Sequence, residues 1–161
     1  MNFEPSFASS LPTTHALLTA SNLTLHPAVS RVVLHGSRGL AGGYRSNSDI
    51  DLSLLVDIPP DASPSDRERL LREVWDVTCA HWQAPVELDL AVVFDARGCG
   101  LTCFERARWD EAVCTIGSVD CFGLYKLHKG FMGLVTNAGV AVRRMYPCLT
   151  IWRRDRRLPD L

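Results

Sequence analysis

The segment Leu34–Asp57, LHGSRGLAGGYRSNSDIDLSLLVD, decides the fold. It links the run RVVLHG (31–36) to the apolar run DIDLSLLVD (49–57) through a glycine-rich loop. Apolar, β-branched residues that end at a glycine are typical of a buried strand. Strand side chains alternate between faces, so Asp49 and Asp51 point to the same side. Because an unpaired charge in an apolar strand is costly, these two carboxylates require an explanation.

Helical and strand patterns alternate around this segment. We expect the first ten residues to form a loose arm, followed by a helix from Pro12 and a helical turn over 26–31. The segment 58–65 contains prolines and aspartate and is typical of a loop. Ser65 and Glu68 have capping-box spacing and predict the start of a helix. The apolar stripe predicted for that helix contains Leu70, Leu71, Val74, Val77 and Cys79.

The second half of the chain begins with another apolar strand. The run VELDLAVVF (86–94) predicts this third strand, and the segment 101–113 predicts a helix. Beyond Cys114 the patterns weaken, and we expect short strands in the segments 123–128, 133–136, 140–146 and 147–154. Together these elements predict an α/β (α+β) fold with a mixed β-sheet flanked by helices. We expect a single domain over 1–161, with its motif core at 30–95.

The composition is that of an ordinary globular protein. The chain has 161 residues, 47% of them hydrophobic and 22% charged, and a net charge of −1. This composition argues against disorder and against an overall basic field for nucleic acid. No apolar run is long enough for a membrane helix, and no secretory signal pattern is present, so we expect a cytoplasmic protein without membrane contact. Six cysteines without a CxxC pair indicate reduced thiols, with a zinc site as the alternative at Cys99, Cys103, Cys114 or Cys121.

A third carboxylate gives the first two a chemical purpose. Asp89 lies in the equally apolar third strand, and Glu87, two residues earlier on the same face, is the second candidate. Three carboxylates on adjacent strands suit Mg²⁺, which takes acidic oxygens together with water and substrate phosphates. A pair of such ions can hold the attacking and leaving oxygens of a phosphoryl displacement.

The turn after the first strand suits a phosphate. Gly36 allows close approach of the backbone to a ligand. Ser37 can cap a short helical turn and offer its hydroxyl and amide to a phosphate group. The glycines that follow keep the loop open.

Together, HGSRG, SDIDLSLLV and VELDLAVV resemble the DNA polymerase β-type nucleotidyltransferase superfamily, in particular its minimal nucleotidyltransferases. The resemblance covers Val32 to Val93. It implies a mixed sheet flanked by helices and transfer of a nucleoside monophosphate from an NTP such as ATP, with pyrophosphate leaving. Gly36 and Ser37 would then hold the triphosphate, and Asp49 and Asp51 would bind Mg²⁺. Asp89 would complete the metal site and help to deprotonate the acceptor.

Two arginines border the loop. Arg38 and Arg45 can neutralise a triphosphate, because the guanidinium group matches phosphate oxygens, or they can be solvated loop residues. His35 is better explained as a packed or hydrogen-bonded histidine than as a nucleotide ligand. The cluster Arg153–Arg157 can steer RNA or an acidic protein partner, although a solvated tail explains it better.

The acidic, glycine-rich segment matches neither of two common ligand-binding loops. An EF-hand fails because Leu52 and Ile58 stand where such a calcium loop needs glycine and glutamate. A P-loop fails because no Gly-Lys-Ser/Thr follows the glycines. A structural hairpin would account for Asp49 but leaves Asp51 and Asp89 unexplained.

The leading hypothesis is therefore a Mg²⁺-dependent nucleotidyltransferase. The acceptor stays open between a protein, an RNA end and a small molecule. The alternatives are a non-catalytic interaction protein of the same fold, such as one half of a toxin–antitoxin pair, and a nucleotide-binding sensor.

Overall fold

The computed structural model describes residues 1–59, 61–95, 123–126, 133–134 and 147–154 of the protein. Its helices are α1 (Pro5–Ser10), α2 (Pro12–Ala20) and α3 (Pro64–His81). Its strands are β1 (Val29–His35), β2 (Ile50–Val56), β3 (Leu88–Phe94), β4 (Gly123–Lys126), β5 (Gly133–Leu134) and β6 (Leu149–Arg153). The strands form one sheet of six in the order β5-β4-β3-β2-β1-β6.

The sheet is mixed, as predicted. Strands β2 and β3 are parallel, whereas β1 is antiparallel both to β2 and to β6. The pairs β3–β4 and β4–β5 are also antiparallel. Because parallel neighbours need a long crossover, helix α3 connects β2 to β3. The described elements are therefore those of an α+β protein with a mixed sheet and helices.

The three central strands have the same burial pattern and bury one face against the helices. Leu52, Leu54, Leu90 and Val92 belong to this core, which also contains Phe7, Leu18, Leu71 and Val74 from the helices. Alternation then directs Asp51 and Asp89 to the other face. That second face is buried along its middle, where Val33, Ser53, Leu55 and Val93 are at most 2% exposed.

The first ten residues were wrongly predicted to be a loose arm. Residues 5–10 form α1, whose Phe7 is completely buried and packs edge-on against Phe3 and His15. The Glu4 amide donates to the Ile151 carbonyl at 2.7 Å. Tertiary contacts therefore hold a segment that is too short to be a stable helix alone.

The region before β1 is tighter than predicted. The expected helical turn over 26–31 is reduced to one hydrogen-bonded turn, with the Val29 amide 3.0 Å from the His26 carbonyl. Strand β1 begins directly at Val29. The strand consequently takes up residues that the pattern assigned to a helix.

The cap predicted at Ser65 was also wrong. Ser63 is the N-cap of α3, and its hydroxyl accepts a hydrogen bond from the Asp66 amide at 3.1 Å. Pro64 follows at the first helical position, where its missing N–H costs nothing and its φ is already helical. Proline therefore moves the helix start two residues upstream of the position that the Ser65–Glu68 spacing indicated.

One member of the predicted apolar stripe of α3 was wrong. Leu71 and Val74 are buried, but Cys79 is exposed and the adjacent Thr78 is buried instead. The Thr78 hydroxyl donates to the Thr24 carbonyl at 2.8 Å, which satisfies it in this position. A threonine with an internal acceptor can therefore take the place of an apolar residue.

Two arginines of the Arg153–Arg157 cluster lie at the end of the chain that the structure describes: Arg153 is the last residue of β6, and Arg154 follows it. Arg153 lies 3.3 Å from the Glu4 carboxylate, and Arg154 pairs with the Asp57 carboxylate. The Arg154 side chain also donates to the Pro27 carbonyl at 3.0 Å. These two arginines therefore have structural partners.

Several predictions lie outside the described residues. They are the helix over 101–113, the strand over 140–146, the zinc alternative at Cys99, Cys103, Cys114 or Cys121, and the remaining arginines Arg156 and Arg157. Within the described parts of the chain, no helix has the length and apolarity needed to cross a membrane.

Candidate acidic metal centre

Three chain segments meet at one end of the sheet. Because β2 and β3 run parallel, both begin at this end, and antiparallel β1 finishes there. In the register, Asp51 is the partner of His35 on one side and of Asp89 on the other. The glycine-rich turn that follows β1 therefore lies at the same end of the sheet as the acids at the start of β2 and β3.

The three predicted acids come together. Three carboxylate oxygens, one each from Asp49, Asp51 and Asp89, lie within 4.8 Å of one another. Each of the three residues is partly buried. Glu87, the second candidate for the third acid, is exposed, and among the described residues the cluster forms without it. The strand register thus selects Asp89.

The donor set suits a hard divalent cation. Mg²⁺ binds carboxylate oxygens at about 2.1 Å, so two oxygens on one ion lie at most about 4.2 Å apart. The spacing within the cluster is at most 4.8 Å, so a small rotation of one side chain would bring the oxygens together. Such a cation would also offset the repulsion among the three carboxylates, which is strong at this distance.

Gly36 connects the turn to the acids. Its φ is +73°, a conformation that disfavours residues with a side chain. A Cβ atom built on Gly36 would overlap the Asp51 carboxylate, whose Cγ atom would lie 3.1 Å away. The backbone at this position therefore packs directly against one of the candidate metal ligands.

Ser37 is partly buried in the turn that follows β1. The Gly39 amide donates to the Gly36 carbonyl at 3.0 Å, and the Gly42 amide donates to the Gly39 carbonyl at 3.3 Å. Two consecutive turns therefore begin at the end of β1. The predicted contact of Gly36 and Ser37 with phosphate stays a prediction.

The alternative that Arg38 is a solvated loop residue was wrong. Arg38 is only 4% exposed, and its guanidinium group donates to backbone carbonyls of the loop. The acceptors are the carbonyls of Ser48 at 2.7 Å, Arg45 at 3.2 Å and Ser46 at 3.2 Å. Arg38 thus holds the loop that leads to the acids, and a phosphate contact by its side chain stays a prediction.

Arg45 lies on the exposed surface of the same loop. Its amide donates to the Ser48 hydroxyl at 2.8 Å, and the Ser48 amide donates to the Arg45 carbonyl at 3.0 Å. These bonds close a turn immediately before Asp49. The predicted phosphate contact of the Arg45 side chain is also still a prediction.

Two further polar residues were missed from the sequence. Thr14 on α2 donates its hydroxyl to the Arg38 carbonyl at 2.6 Å. Ser53, completely buried on β2, lies 2.8 Å from the His35 Nε2 atom. This contact confirms that His35 is a packed, hydrogen-bonded histidine. Only the strand register, which pairs Val33 with Ser53 and His35 with Asp51, would have indicated the His35–Ser53 contact.

No protein-family model, curated protein or solved structure significantly matches the chain.

Proposed function

We propose that this protein is a Mg²⁺-dependent nucleotidyltransferase that uses an NTP as the nucleotide donor. One observation carries the proposal: the Gly36 backbone packs against Asp51 within a cluster of three carboxylates. This contact supports a single site in which the turn would bind phosphate and the acids would bind a cation. The resemblance of HGSRG, SDIDLSLLV and VELDLAVV to the polymerase β-type superfamily supports the same reaction.

The reaction is a displacement at the α-phosphorus of the NTP. A hydroxyl or phosphate oxygen of the acceptor forms a new bond to this phosphorus, and the bond to the bridging oxygen breaks, so that pyrophosphate leaves. Bound Mg²⁺ would neutralise the charge on the phosphate oxygens and orient them.

The chain supplies the ligands and a base. Asp49 and Asp51 would hold the cation, and Gly36 and Ser37 would bind the triphosphate through the backbone and the hydroxyl. Asp89 would complete the metal site and accept the proton that a hydroxyl acceptor loses. For that role the carboxylate must lie within hydrogen-bond reach of the proton and must be ionised when the acceptor reacts.

Labelled nucleotides test this proposal. The purified protein is incubated with Mg²⁺, each α-labelled NTP and cell extract, and both pyrophosphate release and label transfer are followed. The double variant Asp49→Asn/Asp51→Asn removes two proposed ligands. Asp57→Asn is the matched control, because Asp57 follows the opposite end of β2 and is exposed. We expect transfer by the wild type and by Asp57→Asn, but not by the double variant.

Failure of transfer would take one of two forms. NTP binding that depends on the acids, without transfer, would replace the proposal by a nucleotide-binding sensor. Neither binding nor transfer would contradict it and favour a non-catalytic interaction protein. Where transfer does occur, the mobility of the label would identify the acceptor as protein, RNA or small molecule.

A further inference from the structure

Asp49 differs from the other two acids in how its backbone is held. Asp51 and Asp89 lie within β2 and β3, whereas Asp49 immediately precedes β2. The peptide group after Asp49 is held by the segment that leads into β3, because the Ile50 amide donates to the Glu87 carbonyl at 3.0 Å. The peptide group before Asp49 lies in the loop, beyond the ladder of β2.

Arg38 holds that preceding peptide group. Its Nε atom donates to the Ser48 carbonyl at 2.7 Å. This carbonyl belongs to the same planar peptide unit as the amide and Cα atom of Asp49. Fixing the peptide planes on both sides of Asp49 restricts the direction of its Cα–Cβ bond. The Arg38 contact therefore bears directly on the position of the Asp49 carboxylate.

The Arg38 side chain is itself well fixed. It is buried, it donates to two further loop carbonyls, and its guanidinium carbon lies 4.8 Å from the centre of the Tyr44 ring. The Arg38 carbonyl accepts the hydroxyl of Thr14 on α2 at 2.6 Å. A continuous series of contacts thus leads from α2 through Arg38 to the residue before Asp49.

We propose that Arg38 is a positioning residue that sets the affinity of the acidic cluster for a divalent cation by orienting Asp49. The inference rests on the proposed metal site. Arg38 would not bind the cation itself but would act on Asp49 through the loop backbone that it contacts. Groups that orient metal ligands commonly change metal affinity by about 10- to 100-fold when they are removed.

The direction of the effect separates positioning from simple electrostatics. Arg38 is a cation close to the acids in sequence and in space, since it contacts the residue before Asp49. If its charge were its main influence, removing it would strengthen the binding of a metal cation. If it positions Asp49, removing it weakens that binding.

Mn²⁺ binding measured by electron paramagnetic resonance, without nucleotide, provides the test. The proteins compared are the wild type, Arg38→Gln and the charge-matched control Arg72→Gln, which alters an exposed arginine of α3. We expect Arg38→Gln to raise the Kd for Mn²⁺ by on the order of tenfold. Arg72→Gln should leave the Kd within about twofold of the wild type, because exposed distant charges are screened.

A double-mutant cycle shows whether Arg38 acts through Asp49. In the Asp49→Asn background, Arg38→Gln should cause little further loss, because the side chain that it orients has lost its charge. A purely structural role would weaken binding by the same factor in both backgrounds. If Arg38→Gln fails to fold, Arg38→Lys, which keeps the charge but not the forked contacts, takes its place with the same expected loss.

Three results would overturn the inference in distinguishable ways. A folded Arg38 variant that binds Mn²⁺ as tightly as the wild type, or more tightly, excludes the positioning role but leaves the proposed metal site standing. An equal loss in the Asp49→Asn background excludes action through Asp49. A wild type that binds no Mn²⁺ contradicts the proposed metal site and the inference together.

Discussion

Replacing Gly36 by alanine would test the link between the turn and the acids. Gly36 has a φ of +73°, and a non-glycine residue in this conformation costs about 1–2 kcal/mol. At about 2–4 °C per kcal/mol for a chain of this size, the strain alone lowers Tm by about 2–8 °C. The new Cβ atom would also displace the Asp51 carboxylate, which it would otherwise overlap.

Gly42→Ala separates these two effects. Gly42 has a φ of +71°, but a Cβ atom there meets nothing within 4 Å. The two variants therefore share the backbone strain, and only Gly36→Ala moves an acid. Both should lower Tm in the absence of metal, with the smaller effect at Gly42 if the exposed loop relaxes.

Thermal unfolding with and without Mg²⁺ measures the displacement of Asp51. A ligand at 100 times its Kd stabilises a protein by about 2.7 kcal/mol, and a tenfold weaker Kd roughly halves this stabilisation. We expect the Mg²⁺-induced rise in Tm to be at least halved in Gly36→Ala and unchanged in Gly42→Ala. An equal Mg²⁺-induced rise in both variants, matching the wild type, would refute the reasoning.

Three more changes test the fold around the site. Ser63→Ala should destabilise the protein by about 1 kcal/mol in urea unfolding, and Ser65→Ala by clearly less, because Ser63 is the observed N-cap; the reverse order would contradict the cap. Leu90→Ala should cost about 2–5 kcal/mol in the same assay, because Leu90 is completely buried at the centre of the sheet, and a cost below about 1 kcal/mol would exclude that packing. Burial, and then the Asp76 carboxylate, raise the pKa of the Cys79 thiol, so alkylation should accelerate at higher pH than in the unfolded chain, and Asp76→Asn should partly reverse this delay; alkylation profiles that coincide would contradict the raised pKa.

The raised pKa of Cys79 also fixes the sign of its contribution to stability. Cys79 is exposed as a residue, but its thiol is close enough to protein atoms and to Asp76 for the folded state to favour the protonated form. Its contribution is therefore present below the pKa of the unfolded thiol and is lost as the pH rises through the pKa of the folded one. Any effect of Cys79 on unfolding thus belongs to the alkaline side of the pH profile.

The sequence predicted the central elements because their signals are local. Apolar runs identified β1, β2 and β3, and period-two alternation placed Asp49 and Asp51 on one side. The sequence also favoured Asp89 over Glu87 as the third acid, but Glu87 stayed an alternative because the register between β2 and β3 depends on tertiary pairing. Helix α1 escaped prediction because contacts that are distant in sequence stabilise it.

The role of Arg38 could not be predicted for a related reason. Its acceptors are backbone carbonyls, which every residue carries, so no side-chain pattern marks Arg45, Ser46 or Ser48 as partners. The Thr14 contact joins residues 24 positions apart. A charged side chain that satisfies loop carbonyls is thus indistinguishable in the sequence from one that awaits a phosphate.

The connection from β2 through α3 to β3 has a consequence for folding. Pairing these parallel strands places Asp51 directly opposite Asp89, so closing the crossover also creates repulsion between like charges. The entropic cost of closing the chain and this electrostatic cost are met in the same step. The end of the sheet at which β2 and β3 begin is thus a point of local frustration, where the charges of the two candidate metal ligands oppose the pairing that brings them together. A cation that binds during folding would reduce the electrostatic cost of pairing β2 with β3, and it would also stabilise the folded state.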